Sequence, residues 1–204
     1  MSVTCKRLYL KRRSLIAAAS GLTLWGALGN RARADDDGLD DASADWQALN
    51  PPLPVPELKF STVKGKPGRL DEYLGHVVVV NLWATWCGPC KMELPSLNRL
   101  AARIKPFGGV VLAISVDDDG LASAGPFIKA RGFKNLVIGT DPDGDDLDAV
   151  GADGIPATVV LRPDGKVVAA LEGGANWDTD KVVAFLQKLA GSVTAPDKSD
   201  VVKV

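Results

Sequence analysis

One histidine and three cysteines are all that the 204 residues offer to zinc or another soft metal ion. A structural zinc site ordinarily takes four Cys or His ligands. Neither His76 nor Cys5 is spaced to complete a site with Cys87 and Cys90, so no metal is expected. His76, just ahead of an apolar run, reads as a surface residue. Basic residues are scarce beyond position 34: seven of the 24 Lys and Arg precede it, leaving 17 against all 25 acids, a net of −8. Nucleic-acid binding needs a basic patch, which excludes that class of partner. Long apolar runs are also missing. The stretch from Leu15 to Leu28 falls short of the roughly 20 residues that cross a bilayer. The acidic run Asp141–Asp146 has the composition of a calcium loop without its pattern, since its glycine is misplaced and the twelfth position is Ala152 rather than glutamate. Asp117-Asp118-Asp119 reads as a solvated loop, and no cofactor is expected.

What is present describes an ordinary globular chain, 46% hydrophobic and 24% charged, long enough for one domain of about 150 residues plus appendages. Residues 1–34 have the layout of an export signal: a basic start ending in Lys11-Arg12-Arg13, a mildly apolar centre, and Ala32-Arg33-Ala34 as an A-x-A cleavage site. The paired arginines and the modest hydrophobicity fit a twin-arginine (Tat) signal, with cleavage after Ala34. Cys5 would then be discarded, leaving two cysteines in an oxidising compartment, the periplasm. Residues 35–54 read as a tether, first acidic and then proline-dense. The domain is expected over 55–191 and a flexible tail over 192–204.

Cys87-Gly88-Pro89-Cys90 is the pattern that carries chemistry. It follows the apolar, β-branched run Val77–Trp83, which reads as a strand buried on both faces. It opens a helix to Ile104, with Pro95 predicting a kink. A C-x-x-C pair at a strand-to-helix junction is a redox motif. The first thiol lies at a helix N-terminus, which favours the thiolate, and the second can resolve a mixed disulfide. Further strands are predicted at 57–62, 110–116, 135–138, 157–161 and 166–171, with helices at 124–131, 145–150 and 178–189. Together these make an α/β fold, a mixed sheet with helices on both faces.

The segment Asn81-Leu82-Trp83-Ala84-Thr85-Trp86-Cys87-Gly88-Pro89-Cys90-Lys91-Met92-Glu93-Leu94-Pro95, with Gly154-Ile155-Pro156-Ala157-Thr158 further on, resembles the thioredoxin superfamily. More narrowly it resembles the exported TlpA/ResA-type thiol-disulfide oxidoreductases, with the cytochrome c maturation thioredoxins close by. The resemblance implies a thioredoxin-like fold, a redox-active Cys87–Cys90 disulfide with Cys87 as nucleophile, and a cis proline at Pro156. Trp86, Gly88, Pro89, Ile155 and Pro156 are then the substrate-binding residues, with the Ile155 backbone pairing a client peptide. Trp83 is expected beneath the site, where plain core packing weighs at least as much as a chemical role. Asn81 departs from cytosolic thioredoxins, which carry a proton-exchanging aspartate there, because an amide cannot exchange a proton. Glu93, one turn beyond Cys90, is the candidate substitute, against the alternative of a solvated helix surface.

The expected function is periplasmic reduction of client disulfides, the Gly-Pro dipeptide matching a reducing thioredoxin. The resemblance implies a membrane electron donor of the DsbD or CcdA kind, clients in cytochrome c or copper-site maturation, and a monomeric mature chain. The alternatives are a disulfide-forming oxidase and a non-catalytic module that binds Cu(I) or apocytochrome. A peroxiredoxin is disfavoured because Ala84 stands where that class has threonine or serine.

Overall fold

Val77–Trp83 builds the centre of the molecule, because β-branched side chains suit a pleated strand that is covered on both faces. A computed structural model describes residues 40–41, 46–54 and 56–192; the expected signal over 1–34 and the tail beyond Ser192 lie outside them. Val78–Trp83 forms β4, every residue of it buried. It pairs in parallel with β5 (Val110–Ser115) and antiparallel with β7 (Ala157–Leu161). Outward on one side come β6 (Val137–Thr140) and the short β3 (Ser61–Thr62). On the other come β8 (Val167–Glu172) and β2 (Gln47–Leu53), giving the order β2-β8-β7-β4-β5-β6-β3. A further pair, β1 (Asp40–Asp41) with β9 (Ala175–Asn176), runs in parallel beside this sheet.

Alternation along β4 distributes two cores. Val79 and Trp83 face one layer with α1 (Gly88–Ile104), α2 (Leu121–Arg131) and α4 (Asp180–Ala190). Val78, Val80 and Leu82 face another with Phe60, the turn at Leu70 and α3 (Asp145–Val150). The expected mixed sheet with helices on both faces is what forms. Pro95 lies inside α1 without ending it. α1 is clasped to the start of α4 and the residues leading into it by Arg99–Asp178 at 2.6 Å and Arg103–Asp180 at 2.5 Å.

The expected tether needs correcting. Gln47–Leu53 is an edge strand, antiparallel to β8 with a register shift between Ala48 and Leu53. Proline cannot donate to a ladder and is admitted at an edge or a bulge, so the proline-dense stretch takes the one place in a sheet that suits it. Trp46, just before it, packs edge-on against Phe185 at 4.5 Å between ring centroids. The domain therefore begins before residue 55.

Candidate active site

The end of β4 hands the chain to α1 through Ala84-Thr85-Trp86. Cys87 is the N-cap of that helix, its Sγ accepting the Cys90 amide at 3.2 Å. Proline fits in the first turn because its missing N–H would have no intrahelical partner there. Cys87 and Cys90 are joined as a disulfide. Cys90 is fully enclosed and Cys87 nearly so, whereas Trp86 is 67% exposed and Gly88 and Pro89 also face solvent. Of the two sulfurs, the helix N-terminus stabilises a thiolate best at Cys87.

Glu93 is fully buried, which removes the alternative of a solvated helix surface. Its Oε1 accepts the Asn81 Nδ2–H at 2.8 Å. Its Oε2 accepts the Trp177 indole N–H at 2.9 Å and the Ala175 amide at 3.2 Å. Asn81 in turn donates to Thr158 Oγ1 at 2.9 Å. Burial pushes the Glu93 carboxyl up to about 7, while the three donors, which favour the charged form, hold it from rising further. Such a group can take up and release a proton near neutral pH. The signal was present in the helix spacing: Cys90, Glu93, Leu94, Leu97, Leu100, Ala101 and Ile104 form one buried stripe, and Glu93 lies within it.

Asp117 is a correction of a different kind. It is buried rather than solvated, and its carboxylate accepts the Thr85 amide at 3.1 Å, the Thr85 hydroxyl at 2.7 Å and the Ser115 hydroxyl at 2.5 Å. It thereby pins the loop that delivers Cys87. Its position just past the carboxyl end of a sheet strand is where α/β proteins place functional groups. Asp117→Ala strands two hydroxyls and an amide, and is expected to lower stability by about 2–3 kcal/mol. Urea unfolding measures this, and a loss below about 0.5 kcal/mol, the level of an ordinary surface change, would contradict the anchoring.

The Ile155–Pro156 peptide is cis, as the resemblance implied. Ala157 pairs with Leu82, so Pro156 lies level with the end of β4, where the chain turns toward Cys87. Pro156 is buried and Ile155 half-buried. Trp83 is fully buried in the core, its ring 5.5 Å from that of Phe127. His76 sits at the surface, its Nδ1 2.7 Å from the Gly108 carbonyl. In the acidic run Asp141–Asp146, Asp141 Oδ2 accepts the Asp146 amide and Asp146 Oδ1 accepts the amide of Lys59, 87 residues earlier, so these carboxylates are taken up by backbone amides. Among the described residues no group of three or more His, Cys, Asp or Glu is arranged to hold a metal.

Comparison with known proteins sets this geometry in a family. The AhpC/TSA family profile matches residues 52–170, more than half of the chain. The thiol-disulfide oxidoreductase ResA of Bacillus subtilis is 28% identical over 170 residues, covering 82% of this chain and 86% of that protein. The protein of the same name from Geobacillus thermodenitrificans is 30% identical over 119 residues, covering 58% and 67%. Among solved structures, a thiol:disulfide interchange protein of the thioredoxin family from Chlorobium tepidum superposes with a TM-score of 0.56. It is 26% identical, over 67% of this chain and 97% of that one.

Proposed function

Since the chain belongs to the AhpC/TSA family, as a thioredoxin-type thiol-disulfide oxidoreductase, we propose that it works in the periplasm as a reductant of client protein disulfides. The observation that carries the reading is the Cys87–Cys90 disulfide at a helix N-terminus, with the fully buried carboxyl of Glu93 one turn beyond its second cysteine.

In the reduced enzyme the Cys87 thiolate attacks one sulfur of the client disulfide, forming a mixed disulfide and releasing the other client sulfur as a thiolate. Cys90 then loses its proton and attacks Cys87 Sγ. The second client sulfur leaves with the bonding pair and is protonated, and the Cys87–Cys90 disulfide closes. Two electrons pass to the client. Glu93 receives the Cys90 proton, which Asn81 cannot do. The client lies against Trp86, Gly88 and Pro89, with the Ile155–Pro156 loop offering backbone for strand-like pairing.

Export fits the layout of residues 1–34, with cleavage after Ala34. A reductant in an oxidising compartment must be recharged, and the donor we propose is a membrane protein of the DsbD or CcdA kind. The clients are apocytochrome c or copper-site proteins with oxidised cysteines, and the mature chain acts as a monomer. Insulin reduction by the full chain with dithiothreitol as electron source, run beside a Cu(I) titration of the reduced protein, tests the reading. Turnover well above the dithiothreitol background supports it. Tight Cu(I) binding without turnover would make the chain a binding module instead.

A further inference from the structure

Trp177 serves no step of the mechanism above, yet it is fully buried and aimed at the centre of the site. An indole N–H only donates, and here its acceptor is Glu93 Oε2 at 2.9 Å. The Trp177 backbone amide donates to Ser96 Oγ at 3.1 Å, and that hydroxyl donates to the Glu93 carbonyl at 2.8 Å. Trp177 is thus fixed to the α1 turn that carries Glu93 through both its main chain and its ring. The two carboxylate oxygens are held from different elements, Oε1 by Asn81 of β4 and Oε2 by the β9 segment. That segment has little backbone pairing of its own, since β9 is two residues long and among the described residues pairs with β1 alone. The outer face of Trp177 is covered by Trp46, 5.9 Å away between centroids, which Phe185 of α4 backs in turn. Trp46 leads directly into the edge strand β2.

We propose that Trp177 is the positioning residue of the redox centre, its indole N–H fixing the Glu93 carboxylate, and that Trp46 ties this hold to the docking of the N-terminal segment. The inference rests on the reading of Glu93 as proton partner of Cys90. The groups bonded to the Glu93 carboxyl are Asn81 of β4, backed by Thr158 of β7, and the Ala175 amide and Trp177 of the β9 segment; Cys90 lies one turn earlier on the same helix. Among the described residues no charged side chain contributes to its proton affinity. A donor withdrawn from a carboxylate raises its pKa, so the hold is readable as a titration.

The test is NMR on the oxidised full chain, following the Glu93 carboxyl carbon and the Trp177 indole N–H through pH 4 to 9, beside the pH–rate profile for insulin reduction. In the unmodified protein the indole resonance is expected to move with the same midpoint as the carboxyl, and Glu93→Gln is expected to abolish that movement. Trp177→Phe is expected to raise the carboxyl midpoint by about one pH unit and to carry the pH–rate profile in the same direction. Trp46→Ala shifts both the same way by less. An indole resonance indifferent to the Glu93 titration, or a carboxyl midpoint unmoved in Trp177→Phe, overturns the inference. If Trp177→Phe does not fold, the unmodified protein, Glu93→Gln and Trp46→Ala still decide. A carboxyl midpoint that moves while the rate profile stays put upholds the hold and sinks Glu93 as the proton partner. A rate profile that responds to Glu93→Gln while carboxyl and indole ignore each other does the reverse.

Discussion

Cys87→Ser is expected to lower insulin reduction by at least roughly a thousandfold, down to the background of the added dithiol, because a serine hydroxyl is neither ionised near neutral pH nor a sulfur nucleophile. Folding is not the cause, since the substitution is nearly isosteric and the N-cap position of Cys87 accepts serine readily. Cys90→Ser has a different signature. The first attack remains possible and the resolving step does not, so a mixed disulfide between Cys87 and the client accumulates, visible by mass spectrometry and on non-reducing gels. The asymmetry follows from the structure: Cys87 caps the helix beside exposed Trp86, Gly88 and Pro89, while Cys90 is sealed beneath. If Cys87→Ser traps clients instead, the order of the two sulfurs is reversed.

Glu93 carries the second large effect, and it falls on stability as well as on rate. Its folded pKa of about 7 lies above its ordinary value of 4.5. The folded state therefore binds this proton more tightly than the unfolded chain. The resulting stabilisation is complete below pH 4.5, is lost as pH rises toward 7, and changes little above that. The magnitude is about 3 kcal/mol over the window. In the oxidised protein Cys87 and Cys90 do not titrate, so urea unfolding at a series of pH values reads the carboxyls without them. Asp146, pushed by burial up to about 6, adds a slope of the same sign that ends lower. Glu93→Gln is expected to remove the part of the slope nearest pH 7 and to leave the Asp146 part. It also sets an amide NH2 against donors that now meet carboxylate oxygens on both sides, so the variant starts out weaker by about 1–3 kcal/mol even in acid. A slope unchanged in Glu93→Gln would mean that Glu93 does not titrate in this range.

Much of this was open to a reader of the sequence, and the exceptions have physical causes. The valine-rich opening of β4 and the C-x-x-C at its exit each carry a local signal. β2 carries none, because an edge strand asks little of residue type and tolerates the prolines that read as a spacer. β9 is too short to show any periodicity, and its importance comes from the donors that Ala175 and Trp177 bring to Glu93, which lie 82 and 84 residues away along the chain. Asp117 sits in a triple-acid run whose solvated appearance holds for its neighbours only; Asp118 and Asp119 are exposed. A buried carboxylate is distinguished by its partners, and those of Asp117 come partly from a loop 32 residues earlier.

The central claim, that the Cys87–Cys90 pair runs as a reductant, is tested most directly by its reduction potential. The full chain is equilibrated against glutathione couples and followed through the fluorescence of Trp86 beside the disulfide. A potential below about −240 mV, toward the thioredoxin end of the scale, is the result this account predicts. A potential above about −180 mV, in the range of isomerases and oxidases, would contradict it and make the chain a source of disulfides.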